Sequence, residues 1–361
     1  MTIDELAEHI DDRFTLLSNG ARTLQPRQQT LRSVVDWSHD LLDAEERAVF
    51  RRMAAFVGGA TREAVAAVAA DAGGGTLATP AEVLDVVARL VDKSLVIADH
   101  QPSGVRYHML QTLHAYAEGK LAESLEREHV LVRHARYFAD VLAPMQRGLL
   151  GPEQAAWFEL LARERENVDA ALAVAVGRGD AELALELVVP LGWYYFMAGE
   201  IEEGSAAMSS ALAVPGPTSP HLRAAALAYY GWLETNGKNI EHAWAVSSEA
   251  YGMVDQVDDP WTRTMVTAIH VMAAFFAGRT ELAASLAETL PELAALTADP
   301  WADAVTRLVR GEVAQFVGDP RDAEVLFSTA AEEFRRVGDL FAYSLCIAEG
   351  AEVAETLGDY E

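Results

Sequence analysis

A pattern that recurs every forty residues constrains this chain more than any other sequence feature. A capping residue starts each copy and proline follows it in three of four, at Ser219-Pro220, Asp259-Pro260, Asp299-Pro300 and Asp339-Leu340. Ser and Asp side chains accept hydrogen bonds from the free N–H groups of a helix start, and proline fits the first helical position. The pattern therefore predicts a helix after each capping residue and an array of stacked repeats.

Glycines mark the expected turns between the paired helices of each repeat. They are Gly199, Gly237, Gly278, Gly318 and Gly358. Glycine takes a positive φ at a helix C-terminus without a clash from Cβ. Apolar residues at helical spacing between these marks predict helical hairpins of about forty residues, which bury their apolar faces only by stacking on neighbours.

These hairpins resemble tetratricopeptide repeats. The glycine pairs and alanines that carry the resemblance are Gly192/Gly199, Gly311/Gly318, Ala211 and Ala330. The period is longer than that family's usual one of about 34 residues. We expect the array to cover residues 181–361. Its last hairpin is incomplete at Glu361, which we interpret as a truncation point.

The region before the repeats predicts an amphipathic helix, then three helices and a β-hairpin. An amphipathic helix is expected from Thr30 to Leu42, and further helices after the capping residues Asp43, Thr61 and Thr79. Two β-prone runs, 94–98 and 105–109, predict the hairpin. This order predicts a winged-helix domain over residues 30–122. A helical linker over 123–180 then leads to the repeats.

The third main helix of a winged helix often reads DNA, and here it spans 80–93. Its exposed charged residues are Glu82, Asp85, Arg89, Asp92 and Lys93. Their net charge is −1, without the basic cluster that phosphate binding needs. We therefore interpret this helix as a packing element, with a DNA-binding regulator as the alternative.

Several long phrases occur in an order typical of one group of proteins. They are Val35-Asp36-Trp37-Ser38, Leu90-Val91-Asp92-Lys93-Ser94-Leu95-Val96, Tyr107-His108-Met109-Leu110-Gln111-Thr112 and Gly151-x-x-Gln154-x-x-Trp157. In this order they resemble the C-terminal half of a STAND-type, NB-ARC-like signalling ATPase. The actinobacterial regulators of the SARP and large LuxR types are the most similar. The resemblance implies that residues 1–29 are a remnant of the ATPase's helical lid.

The resemblance also implies a function: the sensor half of an ATP-dependent signalling or transcription regulator. Its repeats would bind a protein or small-molecule inducer. Its winged helix would relay the binding signal to a nucleotide-binding domain in cis. ATP or ADP would belong to that domain, because the 361 residues contain no G-x-x-x-x-G-K-[ST] run. We interpret the glycines at 73–75 as a loop and expect no cofactor and no enzymatic activity in this chain.

In related plant and animal proteins, a Met-His-Asp phrase places a histidine near the nucleotide. The matching positions are Met109, Leu110 and Gln111, so the histidine and the aspartate are replaced. The phrase for direct nucleotide sensing is therefore degenerate in this chain. Packing at a helix start is the alternative role.

The first helices of the repeats carry aromatic and polar residues that predict a partner groove. They are Trp193, Phe196, Tyr230, Glu234, Met272, Phe275, Glu312 and Gln315. First helices line the concave face of a tetratricopeptide superhelix, where peptides or partner helices bind. Aromatic residues at helical spacing are also typical of hairpin cores, which is the alternative for the aromatic members of this set.

Charge and composition restrict the remaining classes. The net charge is −27, with −5 on residues 1–150 and −22 on 151–361, which disfavours nucleic acid and favours basic partners. A stand-alone scaffold for basic proteins is therefore a second alternative. The absence of a signal peptide, of a membrane-length apolar run and of any cysteine besides Cys346 predicts a cytoplasmic protein without disulfides. The ten histidines form no metal-binding motif and no catalytic set, so we expect neither.

Overall fold

The computed structural model describes residues 26–71, 76–101 and 104–358, with side chains from residue 32 onward. The expected lid remnant up to residue 25 and the glycines at 73–75 lie outside the described residues. The chain divides into two compact units, Met1–Val130 and Leu131–Glu361. We refer to them as the winged-helix unit and the repeat unit.

Four helices begin the winged-helix unit. They are α1 (Pro26–Asp40), α2 (Ala44–Arg52), α3 (Arg62–Ala69) and α4 (Pro80–Asp92). Asp43 and Thr79 each form a reciprocal capping box, with Glu46 and Glu82 respectively, and Thr61 caps α3. These three helix starts are therefore confirmed, because capping chemistry is local in sequence.

A three-stranded antiparallel sheet completes this unit, in the order β1-β3-β2. The strands are β1 (Ala60–Thr61), β2 (Ile97–Gln101) and β3 (Gly104–His108). The predicted first strand at 94–98 was placed three residues too early, because Ser94 has a φ of 59° and belongs to the turn after α4. Strand β1 was not predicted, since two residues show no alternation. It pairs Ala60 with Tyr107.

Longer helices follow the sheet. They are α5 (Gln111–Ala122), α6 (Arg127–Leu142), α7 (Met145–Gly148) and α8 (Gln154–Arg178). Helix α5 matches the predicted helix from Leu110 to about Glu123. Within the winged-helix unit, the Tyr116 hydroxyl on α5 donates a hydrogen bond of 2.8 Å to Asp36 on α1. This bond joins the phrase at 35–38 to the helix that follows the phrase at 107–112.

The repeat unit continues as helical hairpins. Their helices are α9 (Ala181–Val188), α10 (Gly192–Ala198), α11 (Ile201–Leu212), α12 (Pro220–Asn236), α13 (Ile240–Tyr251), α14 (Pro260–Phe276), α15 (Thr280–Ala287), α16 (Leu290–Ala295), α17 (Pro300–Val317), α18 (Pro320–Val337) and α19 (Leu340–Leu357). The four capping residues at forty-residue steps all accept a backbone N–H with their side chains. The predicted fold class, a winged helix followed by an α-solenoid, is confirmed.

The turn glycines behave less uniformly than predicted. Gly199, Gly278 and Gly358 have φ values of 74°, 71° and 78°, as expected. Gly237 has a φ of −73°, because α12 continues through this turn and Lys238 takes the left-handed conformation with a φ of 66°. Gly318 has a φ of −112° and leads directly into the next capping residue. The prediction of positive φ is therefore wrong at these two glycines.

Contacts between the start and the end of the repeat unit close the array on itself. Asp339, which is fully buried, caps α19 and accepts hydrogen bonds from Gln154 on α8 at 2.6 Å and from the Trp301 indole on α17 at 2.7 Å. The rings of Phe196 on α10 and Phe341 on α19 lie 5.6 Å apart. The first helices therefore surround a central space instead of lining an open groove.

Among the described residues, no helix combines the length and the apolar character needed to cross a lipid bilayer.

Candidate functional site

A cavity opens where the first helices of the repeats converge. Its empty volume is about 610 Å³, including space open to solvent. Six rings line it, and we call them the aromatic cluster: Trp193, Phe196, Trp232, Trp301, Phe334 and Phe341. Aliphatic side chains of α14 and α17 complete the wall, and Glu312 is the one charged residue of the lining. Ligand sites usually have such a largely apolar wall with few polar groups.

The aromatic cluster is held by ring-to-ring contacts across several helices. Trp193 and Trp232 stack with centroids 6.4 Å apart and planes inclined by 22°. Trp193 meets Trp301 edge to face at 6.2 Å, and Phe196 meets Trp232 at 5.1 Å. Such geometries add to the stability gained by burial. The rings are therefore ordered before any ligand arrives.

Glycine 192 allows one of these rings to reach the cavity. A Cβ on Gly192 would lie 2.3 Å from the Tyr229 ring of the next hairpin, so no larger residue fits there without displacing it. This close approach brings α10 against α12 and sets Trp193 beside Trp232. Gly311 has the same role on α17, where a Cβ would lie 2.7 Å from the Phe327 ring of α18. The first glycine of each pair identified in the sequence thus determines helix spacing.

The single carboxyl group of the cavity has an unusual environment. Burial, followed by repulsion from Glu349 and Glu352 on α19, raises the pKa of Glu312 to about 7. Glu312 forms no ion pair or hydrogen bond with another side chain within the described residues. A perturbed acid in an apolar pocket is a common sign of a functional site.

Two indole groups of the aromatic cluster have no hydrogen-bond acceptor. The Nε1 atoms of Trp193 and Trp232 are buried and unpaired among the described residues. Trp301, in contrast, donates to Asp339. An unpaired buried donor costs about 1–3 kcal/mol, so each of these two indoles would gain from an acceptor supplied by a ligand.

The structure brings together only part of the predicted groove. Trp193, Phe196, Met272 and Glu312 line the cavity. The other four do not appear in its lining.

Their contacts explain where those four lie. Tyr230 packs against His242 of its own hairpin at 5.3 Å, and Glu234 accepts a hydrogen bond from Asn239. Phe275 packs on Phe316 at 5.3 Å. Gln315 lies outside the lining with a buried side-chain oxygen that has no partner among the described residues. The continuous acidic groove expected from Glu234, Glu312 and Gln315 therefore does not assemble.

Sequence reasoning missed four cavity rings, of which two had a visible signal. Trp301 and Phe341 each stand two residues after a capping residue, and His221 and Trp261 hold the same position in the other repeats. A ring residue that recurs every forty residues could therefore have been recognised in the sequence. Trp232 and Phe334 had no comparable signal. Trp232 lies among other apolar residues of α12, and Phe334 stands alone between charged residues of α18.

The nucleotide-sensing phrase lies at the start of α5. Leu110 precedes the helix, makes no side-chain cap and is 55% exposed, and Gln111 is the first helical residue and is also exposed. Met109 is half-buried between β3 and this helix start. Leu110 therefore does not perform the packing role suggested as its alternative.

Helix α4, interpreted from the sequence as a packing element with DNA reading as the alternative, has its basic groups already paired. Arg89 contacts Asp43 at 3.0 Å and Glu45 at 3.1 Å, and Lys93 contacts Glu46 at 2.6 Å. Glu46 is 2% exposed, so the Lys93 pair is partly sheltered from water. These cations serve the packing of α4 on α2, which leaves no basic surface on this helix for phosphates.

Other chemistry is sparse in the described parts of the chain. Across residues 26–71, 76–101 and 104–358, no group of three or more His, Cys, Asp or Glu side chains is arranged to hold a metal ion. Cys346 is 1% exposed, and burial, with Glu312 as the nearest charge, raises the pKa of its thiol to about 12. The predicted burial of this thiol is confirmed, and a raised pKa favours its protonated form, which is the less reactive one.

The chain is similar to mycobacterial proteins over nearly its whole length. It is 34% identical over 357 residues to proteins of Mycobacterium tuberculosis and Mycobacterium bovis that are provisionally named HTH-type transcriptional regulators. The match covers 95% of this chain and 39% of each relative, so the chain spans about two fifths of their length. The resemblance to actinobacterial regulators is confirmed, and the names of these relatives describe regulators and not enzymes.

Two further comparisons concern shorter or more distant matches. An uncharacterized protein of Mycobacterium tuberculosis is 35% identical over 137 residues, which is 37% of this chain and 33% of that protein. The crystal structure of a STAND protein with a tetratricopeptide repeat sensor from Pyrococcus horikoshii aligns with a TM-score of 0.49 and 12% identity, over 94% of this chain and 51% of that one. No family model matches the chain.

Proposed function

We propose that this chain is the sensor and relay part of a transcription regulator. In this proposal the repeat unit receives a small-molecule inducer, and the winged-helix unit passes the signal to a nucleotide-binding domain of the same protein. The observation that carries the proposal is the cavity of the repeat unit, with its ordered aromatic cluster, unpaired indole donors and single carboxyl group. The similarity to mycobacterial regulators supports the regulatory context.

The winged-helix unit supports a relay role through one exposed apolar stripe. Val34 and Trp37 on α1 and Leu41 directly after it follow the spacing of one helix face, and they are 53%, 65% and 61% exposed. The opposite face of α1 packs inward through Val35, which is 8% exposed. An exposed apolar stripe of this kind is typical of a surface that binds another domain. We assign it to the nucleotide-binding domain that the family resemblance implies.

A cell-based experiment tests the sensor role. Leu308 lines the cavity, and Leu308→Trp would fill it with a larger ring. Val325→Trp is the matched control, because Val325 is 63% exposed on α18. We expect the cavity variant to alter the transcript profile of the host strain, while the control matches the wild type. Circular dichroism of both purified variants checks the fold.

The relay role needs a separate variant. Trp37→Asp should change the transcript profile as strongly as Leu308→Trp, while leaving ligand binding by the repeat unit intact. A folded Leu308→Trp protein whose strain responds exactly as the wild type would contradict the sensor proposal. A folded Trp37→Asp protein with an unchanged response would contradict the relay alone.

A further inference from the structure

The cavity holds an acidic group, Glu312, that no described residue of the protein compensates with a positive charge. Glu312 projects from α17, and the titratable groups that face it are Glu349, Glu352 and the Cys346 thiol, all on α19. The parts of α10, α14 and α18 that line the same cavity contribute only apolar residues. Within the described residues, no Arg, Lys or His pairs with Glu312. A positive charge placed here would offset both the free-energy cost of burying this carboxylate and its repulsion by Glu349 and Glu352.

The tryptophans of the repeat unit differ in how their ring faces are used. Trp261 is covered by the Arg147 guanidinium at 4.1 Å and Trp244 by Arg279 at 4.3 Å. The three cavity tryptophans, Trp193, Trp232 and Trp301, have no such cation among the described residues. Indole faces attract cations through their quadrupole, and most strongly where water is excluded. The cavity therefore places three tryptophan rings that carry no cation beside a carboxylate without a charge partner among the described residues.

The contact between Phe196 and Phe341 closes the concave face, which favours a compact ligand over an extended peptide.

We propose that the cavity binds a small organic cation: an ammonium group beside Glu312, carried by an apolar body that contacts the aromatic cluster. This inference rests on the proposed sensor function and specifies the chemical class of the inducer.

Three benzoyl compounds test the charge requirement. Benzoylcholine is an aromatic ester with a quaternary ammonium group, 3,3-dimethylbutyl benzoate is its uncharged carbon isostere, and hippurate is a related anion. Binding to the full chain is measured by calorimetry at pH 8, with tryptophan fluorescence as a second readout. We expect benzoylcholine to bind at least tenfold more tightly than either other compound.

Two variants test whether Glu312 provides the negative charge that selects the cation. Glu312→Gln should remove most of the preference for benzoylcholine over its neutral isostere. Glu332→Gln, at a solvent-exposed site on α18 where Glu332 pairs with Arg336, removes the same charge and should leave the preference unchanged. Lowering the pH from 8 to 5.5 should weaken the binding of benzoylcholine more than tenfold and leave the neutral isostere unaffected, because Glu312 becomes protonated.

The inference is overturned if benzoylcholine does not bind, or if it binds no more tightly than the neutral isostere. It is also overturned if Glu312→Gln binds benzoylcholine as the wild type does. Preferential binding of the neutral compound or of hippurate would contradict only the inference that the ligand is a cation. The sensor proposal would remain. Cation binding together with an unchanged transcript profile for Leu308→Trp would reject the sensor proposal and not the cation.

Discussion

The two units differ in whether selected buried polar groups have hydrogen-bond or ion-pair partners. In the winged-helix unit, Arg52 is 7% exposed and is bound by Glu126, Asp71 and the carbonyl oxygen of Ala69. In the repeat unit, Glu312 and the indoles of Trp193 and Trp232 have no such partners among the described residues. Saturated networks stabilise a fold, whereas unpaired polar groups around a cavity lower stability and are a common sign of a functional site. The comparison supports the proposal that the repeat unit is the part that binds a ligand.

Asp339 of the repeat unit is an exception to this contrast, because it is buried and fully paired. Its substitution should have the largest effect on stability. Asp339→Ala leaves three donors without an acceptor: the backbone N–H of Ala342, the Gln154 amide and the Trp301 indole. We expect the free energy of unfolding of the repeat unit to fall by about 3–5 kcal/mol in urea titrations.

Asp319→Ala is the matched control, because Asp319 is an exposed capping residue that accepts only the Arg321 backbone N–H. It should cost about 1 kcal/mol. Equal losses for the two variants would show that Asp339 acts only as a helix cap and does not join the ends of the array.

Arg52→Ala tests the saturated network of the winged-helix unit. Burial alone would raise the pKa of Glu126, but hydrogen bonds from Arg52 and Arg51 hold it below its usual range. Removing Arg52 leaves Glu126 with Arg51 only, so we expect a loss of roughly 2–4 kcal/mol. Arg127→Ala, which breaks one exposed pair with Glu128, should change stability by less than about 0.5 kcal/mol.

The same network gives the stability of the winged-helix unit a pH dependence. The lowered pKa of Glu126 means that its contribution is present at neutral pH and is lost as the pH falls through its folded-state pKa. In Arg52→Ala this acid-dependent loss should be smaller than in the wild type. An unchanged acid profile would contradict the role assigned to this pair.

Glu312→Gln should have a smaller effect of the opposite sign. Because the pKa of Glu312 is raised to about 7, its folded state favours the protonated form, and stability is lost as the pH rises from about 4.5 through 7. The variant should therefore stabilise the repeat unit by about 1–3 kcal/mol at pH 8 and by almost nothing at pH 4. Thermal unfolding at the two pH values measures this, and equal effects at both would contradict the unpaired buried carboxylate.

Local chemistry explains most of what the sequence could predict. The four capping residues of the repeats and those at Asp43, Thr61 and Thr79 all act within three residues of themselves, so their roles are readable without tertiary information. Strand β1 could not be predicted, because it exists only through its pairing with β3. Lys238 illustrates the same limit, since the position of a left-handed residue depends on how far α12 continues.

The cavity shows why a binding site is harder to predict than an array. Tyr230 and Trp232 are two residues apart on α12, which places them about 200° apart around the helix. The sequence analysis selected Tyr230, yet Trp232 is the one that reaches the cavity. Composition identifies the aromatic helix, but the face that points inward depends on the neighbouring hairpins.

The bridge from Gln154 to Asp339 has a consequence for how this array can evolve. Solenoids commonly gain or lose whole repeats, because each unit contacts only its neighbours. Here α8 meets the fourth capping residue of the forty-residue series, and Gly338 lies so close to Pro152 that an added Cβ would be 3.0 Å from the proline ring. Duplication or deletion of one hairpin between these points would separate the two ends and disassemble the cavity. The number of repeats in this segment is thereby fixed, and variation between descendants is directed to side chains within the cavity.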